Sequence, residues 1–94
     1  MRGKHEDAIK AYDKEIEINP QNANAWSNKG ITLYNQGKYD DAIKAFDRAV
    51  EINPQYANGW YYKGITLEVL GRHMEASKAY TKTKELIKEL SYKS

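Results

Sequence analysis

The chain has 94 residues, of which 40% are apolar and 30% are charged, with a formal net charge of +2 and no cysteine. This length suits one domain, and the apolar fraction is too high for an intrinsically disordered chain. The small net charge argues against a surface dedicated to nucleic acid or anionic lipid, and the lack of cysteine excludes disulfides, thiolate catalysis and cysteine–zinc sites. No apolar run is long enough for a membrane span, and residues 1–7 lack the apolar segment of a signal peptide, so we expect a cytoplasmic protein.

The chain repeats itself at a fixed spacing. Pro20 recurs 34 residues later as Pro54, and the same offset relates Trp26 to Trp60, Gly30 to Gly64, Gly37 to Gly71 and Ala42 to Ala76. A constant period of this length is typical of tandem arrays in which each unit is one supersecondary structure. We therefore predict one domain over residues 1–94, made of a partial unit, a middle unit, a last unit and a tail, over 1–22, 23–56, 57–90 and 91–94.

The periodicity inside each unit is helical, and it predicts five helices, which in chain order span residues 4–18, 23–36, 39–52, 57–70 and 73–90. In the third helix, apolar residues recur at helical spacing from Ala42 through Phe46 to Val50. Gly37 can take the left-handed conformation that ends a helix, and Pro54 stops the helix before it. A full unit is therefore a helix–turn–helix pair, and the partial unit contributes only a second helix.

These residues resemble a known family, the tetratricopeptide repeat (TPR), whose unit of about 34 residues is such a helical pair. The middle unit matches through Trp26, Gly30, Leu33, Gly37, Tyr39, Ala42, Phe46, Ala49 and Pro54. The last unit matches through Trp60, Gly64, Leu67, Gly71, Ala76 and Tyr80, and the partial unit through Gly3, Ala8, Tyr12 and Pro20. The resemblance implies an all-α fold, a right-handed α-solenoid of about two and a half repeats and five helices.

The sequence departs from the family pattern at Lys29 and Lys63, where the family usually has an aliphatic residue. A lysine can lay its stem along the edge of a core and keep its charged head in water. The large rings Trp26, Phe46, Trp60 and Tyr80 are expected to fill the core around the glycines.

Catalytic and metal-binding patterns are missing from the sequence. His5 and His73 both occupy the position that Tyr39 fills in the middle unit, so we expect their rings to pack at helix starts rather than to bind a metal. Acidic pairs such as Asp40 and Asp41 sit at helix starts, where the helix dipole favours negative charge. We predict that the protein is not an enzyme and uses no cofactor or metal.

The resemblance further implies a concave groove, lined by the first helix of each unit, that takes an extended peptide or a partner's helix. In this chain the groove would combine amides, tyrosines and an apolar floor, from Asn24, Ser27, Asn28, Ile31, Tyr34, Asn35, Asn58, Tyr61, Tyr62, Ile65, Glu68 and Val69. Amide groups can bond to a peptide backbone, and tyrosines supply contact area at low entropic cost. We predict a non-catalytic scaffold that binds a peptide or protein segment here, although Ile31 and Ile65 could instead be core residues.

Some members of the family hold the C-terminal carboxylate of heat-shock chaperones with lysine, asparagine and arginine side chains. Asn28 matches the central asparagine of that clamp, but Asn58 and Tyr62 stand where its next basic members would be. The resemblance therefore argues against a chaperone-tail clamp in this chain.

Two other functions compete with peptide binding. Residues 72–94 carry more lysine and arginine than acid, so the last helix could bind nucleic acid, although a larger basic stripe with stacking aromatics would be typical and the tyrosines are predicted to face the groove. The chain could instead be an oligomerisation segment of a longer TPR protein. Peptide binding remains the favoured prediction, with nucleic acid and membranes as disfavoured partners.

The two ends of the array differ in polarity. In the last helix, Ile43 and Val50 of the middle unit are replaced by Ser77 and Lys84, which is typical of a terminal capping helix. In the first helix, Ile9, Tyr12 and Ile16 form an apolar stripe with no earlier helix to cover it. We therefore predict a homodimer formed through residues 4–18.

Overall fold

The computed structural model describes the backbone of residues 3–93 and the side chains up to Ser91, and over this range the chain forms five α-helices and no strand. The helices are α1 (Lys4–Ile18), α2 (Ala23–Asn35), α3 (Tyr39–Ile52), α4 (Ala57–Val69) and α5 (His73–Lys93). The all-α prediction is confirmed. The predicted ends differ in three helices, because α2 and α4 each stop one residue earlier and α5 continues three residues further.

Each helix packs against the next one in chain order, and α2 also touches α4. Among the described helices, α1 packs against α2 alone. The described chain is elongated, with extents of 46 × 32 × 18 Å. This arrangement brings the first helices of the two full units, α2 and α4, side by side on one face.

The turns inside the two full units are built alike. Gly37 and Gly71 have φ angles of +80° and +78°, a left-handed conformation that residues with a Cβ rarely adopt. The next residue in each turn folds back, so that Lys38 N donates to Leu33 O at 2.9 Å, and Arg72 N makes the corresponding bond. These bonds satisfy carbonyl groups at the helix ends and reverse the chain tightly.

Two helical glycines allow the helices of each pair to approach closely. A Cβ added at Gly30 would lie 2.6 Å from Cε1 of Phe46, and one at Gly64 would lie 2.6 Å from Cε1 of Tyr80. Phe46 is fully buried, whereas Tyr80 is only partly buried. The same glycine therefore faces a ring enclosed by protein in the middle unit and a ring near solvent in the last unit.

The tryptophans are not the buried core residues that the sequence predicts. Both are half-buried, with Nε1 of Trp26 donating to Pro20 O at 3.1 Å and Nε1 of Trp60 donating to Pro54 O at 2.9 Å. An indole N–H needs a partner, and the carbonyl groups that supply it lie in the surface turns that precede α2 and α4. The indole rings therefore lie at the edge of each unit, and the ring between the two helices is Phe46 in the middle unit and Tyr80 in the last unit.

The lysines that depart from the family pattern connect successive units. Lys29 Nζ lies 2.7 Å from Oδ1 of Asp13, and Lys63 Nζ lies 2.7 Å from Oδ1 of Asp47. Each ammonium group also lies over its own unit's tryptophan ring, at 5.6 and 5.5 Å from the centroids. In both cases an aspartate on a second helix pairs with a lysine on the first helix of the following unit.

The apolar stripe on α1 is less exposed than predicted. Ile9, Tyr12 and Ile16 are each half-buried, and Ile9 packs against the core cluster around Phe46. The reason is that α2 lies along this side of α1 and covers part of the stripe. Ile18, at the end of the helix, is 78% exposed.

The outer side of α5 is less polar than a capping helix would be. Ser77 and Lys84 are exposed as predicted, but Ile87 is 52% exposed and Leu90 is 63% exposed. These residues stand where the middle unit has Asn53 and Tyr56, because α5 continues past the position at which Pro54 ends the pattern of α3. The extension therefore carries apolar side chains into solvent.

Candidate binding groove

A cleft of about 260 Å³ opens between α2 and α4, with α3 forming its floor. It is lined by Ile31, Tyr34, Asn35, Phe46, Tyr62, Ile65 and Thr66. We call it the groove cleft. Aliphatic and aromatic groups form most of its wall, so it suits an apolar side chain.

The rings in and beside the groove cleft are held by their neighbours. Tyr62 stacks on Phe46 with centroids 5.9 Å apart and planes 20° apart, and Tyr34 meets Tyr39 edge to face at 5.3 Å. The hydroxyl of Thr66 donates to Tyr62 O at 2.8 Å, so this polar group is satisfied within its own helix. The cleft is therefore formed before any ligand arrives, which lowers the entropic cost of binding.

The asparagine side chains around the groove cleft differ in exposure and in hydrogen bonding. Asn35 is exposed and lines the cleft, and Asn28 is half-buried one turn before Ile31. Asn24 is also exposed, but its Oδ1 accepts a 2.8 Å hydrogen bond from the hydroxyl of Tyr56. Asn35 is thus the amide that is best placed to meet a ligand's backbone.

The groove cleft carries no formal charge on any of its described lining residues. The nearest acidic group along α4 is Glu68, whose Oε1 accepts from the Tyr80 hydroxyl at 3.1 Å and whose Oε2 lies 3.6 Å from Nδ1 of His73. Burial and the hydrogen bond to the Glu68 carboxylate raise the pKa of the Tyr80 phenol above its ordinary value. Charge near the groove is therefore weakly acidic, and no lysine or arginine lines it among the described residues.

The structure separates the predicted groove residues into groups. Five of them line the groove cleft together, namely Ile31, Tyr34, Asn35, Tyr62 and Ile65. Ser27 does not face a groove, because it is completely buried, and this prediction is wrong. Glu68 and Val69 are exposed beyond the end of the cleft.

Two predicted groove residues, Asn58 and Tyr61, belong to a different cavity. It is a cleft of about 590 Å³ between α4 and α5, lined by Ala57, Asn58, Tyr61, Tyr80, Thr83, Lys84, Ile87 and Leu90. We call it the terminal cleft. Its aromatic wall is the pair Tyr61 and Tyr80, whose centroids are 6.1 Å apart.

Sequence reasoning did not assign Phe46 and Thr66 to the groove. Phe46 belongs to the second helix of its unit, and its ring reaches the floor of the cleft through the space that Gly30 leaves open. Gly30 was therefore the feature of the sequence that could have indicated that Phe46 reaches the groove cleft. Thr66 is polar, but its hydroxyl is bonded to its own helix, and the residue lines the cleft.

The histidines do not pack as expected. His5 is exposed, and the side chain of His73 is 71% exposed. Over the described part of the chain, no group of three or more histidine, cysteine, aspartate or glutamate residues could hold a metal ion. In the same range, no helix is both long and apolar enough to cross a membrane.

Comparison with known proteins gives a consistent family. Models described as tetratricopeptide repeat match residues 23–56 and 45–76, and a model described as TPR repeat matches residues 2–37. No curated protein matches the chain in sequence.

Several solved structures are similar in fold. The crystal structure of MamA matches with a TM-score of 0.92 at 26% identity, over 95% of this chain and 52% of that chain. MamA AMB-1 matches with a TM-score of 0.84 at 31% identity, over 92% and 51%. This chain thus spans about half the length of those MamA chains.

Another similar structure is the second TPR of Spaghetti (RPAP3) bound to the HSP90 peptide SRMEEVD, with a TM-score of 0.85 at 26% identity over 89% of this chain and 78% of that one. The three family matches together extend from residue 2 to residue 76, and the helical pairs superpose on solved repeats of the same kind. The chain belongs to the tetratricopeptide repeat family and folds as an all-α helical repeat solenoid.

Proposed function

We propose that the protein is a non-catalytic interaction scaffold and that it binds an extended peptide segment in the groove cleft. The observation that carries this proposal is the cleft itself, an apolar cavity with fixed walls between the first helices of two successive units. A protein that only needed a solid core would gain stability by filling this space.

The geometry favours one apolar anchor with backbone contacts beside it. A cavity of about 260 Å³ can take an aliphatic or aromatic side chain between Ile31 and Ile65. Side chains in an extended peptide alternate, so residues two apart share a face and lie roughly 6–7 Å from one another. Asn35, at the edge of the cleft, can bond to the peptide backbone next to the anchor.

Charge disfavours strongly acidic ligands. The similar Spaghetti domain binds the peptide SRMEEVD, in which three of the last four residues are acidic. In this chain Asn58 and Tyr62 stand where a carboxylate clamp would have basic groups, and Glu68 adds a negative charge close by. We therefore expect the groove cleft to take neutral or basic segments and to reject SRMEEVD.

Peptide selection tests the proposal. Random peptides displayed on phage are panned against the full chain, and the enriched sequences are measured by fluorescence anisotropy. We expect enriched peptides to share an apolar anchor, to bind wild type with micromolar Kd, and to lose at least tenfold in affinity with Ile65→Glu. Ile87→Glu is the matched control, since Ile87 is exposed outside the groove cleft.

Three outcomes would overturn the proposal: no enrichment at all, enrichment unaffected by Ile65→Glu, or tighter binding of SRMEEVD than of neutral peptides. Salt separates the nucleic-acid alternative. Phosphate contacts make affinity fall steeply with ionic strength, whereas an uncharged cleft responds weakly. Binding of single-stranded RNA with a steep salt dependence that Tyr62→Ala leaves unchanged would favour that alternative.

A second copy of the chain is the partner we propose for α1. Among the described helices α1 touches only α2, so the part of the stripe that α2 leaves uncovered has no neighbour. Pairing would bury what remains exposed of Ile9, Tyr12 and Ile16 against the same patch of another copy. Sedimentation equilibrium is expected to give a concentration-dependent dimer that Ile9→Glu/Ile16→Glu abolishes, and a wild type that stays monomeric at about 100 µM would contradict it.

A further inference from the structure

The repeat supplies an internal template for the terminal cleft. In the middle unit, the face formed by α2 and α3 is covered by α4 through three kinds of contact, and we call this interface the closed joint. The Tyr56 hydroxyl donates to Oδ1 of Asn24 at 2.8 Å, and Lys63 pairs with Asp47 at 2.7 Å. Gly59 lies against Val50 so closely that an added Cβ would be 2.9 Å from Cγ1 of Val50.

The equivalent face of the last unit, formed by α4 and α5, is covered by no described helix, and the terminal cleft lies there. By the 34-residue offset, Asn24 corresponds to Asn58, Ser27 to Tyr61, and Val50 to Lys84. Ser27 and Val50 are buried, with Gly59 of α4 against Val50, whereas Tyr61 and Lys84 are exposed. The terminal cleft therefore corresponds to the position that α4 occupies at the closed joint.

The charge at this face is reversed relative to the closed joint. Asp47, which receives the lysine of the following helix, is replaced by Thr81, and the buried Val50 is replaced by Lys84. Among its described lining residues the terminal cleft has one charged group, the ammonium of Lys84, and no carboxylate. A helix like α4 would find no partner for its lysine and would place its glycine opposite a positive charge.

The face formed by α4 and α5 also carries large apolar or aromatic side chains at three positions. Tyr61 replaces a serine, and Ile87 and Leu90 replace Asn53 and Tyr56. Both aliphatic residues are more than half exposed, and they continue the wall that Tyr61 and Tyr80 begin. Exposed apolar clusters of this kind mark interaction sites in soluble proteins.

We propose that the terminal cleft binds an amphipathic helix of a partner protein, with its apolar stripe on Tyr61, Ile87 and Leu90 and a carboxylate opposite Lys84. A helix is the expected form because the homologous face seats α4 in the same chain. The carboxylate is expected because an apolar residue at this point would leave Lys84 buried without a partner, which is costly. Specificity thus comes from a charge that rejects another repeat of this array.

Stapled helical peptides with the sequence of residues 57–70 serve as probes. The acidic probe carries Gly59→Glu and Lys63→Ala, and the basic probe carries Gly59→Lys and Lys63→Ala, with the staple on the side facing solvent. Binding to the full chain is followed by fluorescence anisotropy. We expect the acidic probe to bind at least tenfold more tightly than the basic probe, and the Lys84→Glu variant to reverse that order.

Variants at exposed positions locate the binding. Ile87→Glu is expected to abolish binding of the acidic probe, while Ile65→Glu, in the groove cleft, leaves it within twofold; thermal melting checks that each variant is folded. Equal binding of the two probes, no binding of either, or loss only with Ile65→Glu would overturn the proposal. So would sedimentation equilibrium showing that two copies already occupy the cleft and that Ile87→Glu makes them monomeric.

Discussion

The closed joint between the middle and last units and the open face of the last unit occupy the same register of one repeat, yet they differ in exposure and charge. At the closed joint, Val50 is buried beneath α4, and Asp47 pairs with a lysine of that helix. At the open face, Lys84 and Thr81 take these two positions. These two substitutions remove from α5 the carboxylate and the aliphatic side chain that α3 presents to α4.

The same comparison separates the two cavities by the ligand that each suits. The groove cleft lies between first helices, carries no charge on its described lining residues, and has rings fixed by stacking. The terminal cleft lies between α4 and α5, has the larger volume, and has one positive charge among its described lining residues. A narrow neutral cleft suits a single side chain, whereas a wide apolar face with a charge suits a helix.

The largest effect is expected from removing the ring at the centre of each pair. Phe46→Ala should lower the free energy of unfolding by about 3–5 kcal/mol, because a buried ring leaves a cavity. Tyr80→Ala should cost less, about 1–2 kcal/mol, because Tyr80 borders the open terminal cleft. Urea unfolding measures both, and equal losses would show that the terminal face is as closed as the joint.

A smaller effect is expected at the two helical glycines. Gly30→Ala should destabilise by about 1–3 kcal/mol, since its Cβ would meet the enclosed ring of Phe46. At Gly64 the ring of Tyr80 can move toward solvent, so the helix propensity gained by alanine, about 1 kcal/mol, should offset most of the cost. Thermal unfolding of the two variants compares them, and a larger loss at Gly64 than at Gly30 would contradict this order.

The smallest effect is expected for the ion pair of the closed joint. A double-mutant cycle on Asp47→Ala and Lys63→Ala should give a coupling of about 0.5–1 kcal/mol, near the upper end for partly exposed pairs. The control pair Arg48 and Glu51, within one helix, should couple by less than about 0.5 kcal/mol. Coupling that is no larger at the joint than in the control would mean that this pair does not hold successive units together.

The helices could be predicted from the sequence because their signals are local. The period, the glycines at positive φ and the prolines mark each boundary within a few residues, and five of the predicted groove residues do share one cleft. Ser27 and Tyr61 show where such reasoning fails. They occupy the same register, yet Ser27 is fully buried in a unit on which a further helix packs, and Tyr61 is exposed in a unit whose equivalent face no described helix covers.

The sequence also could not predict how far neighbouring helices cover the apolar residues of α1 and α5. The stripe on α1 is half-covered because α2 packs against it, whereas Ile87 and Leu90, which the sequence places within the last helix, are more than half exposed. Both outcomes depend on which neighbouring helix lies against a face, and that is a property of the assembled stack.

We propose that the groove cleft and the terminal cleft are separate sites for different ligands. Amide chemical-shift mapping of the labelled full chain, with a selected neutral peptide and then with the acidic helical probe, tests it most directly. We expect the peptide to shift signals around Ile31 and Ile65, the helix to shift signals around Tyr61 and Ile87, and both ligands to bind at once. Overlapping shifts, or displacement of one ligand by the other, would contradict it.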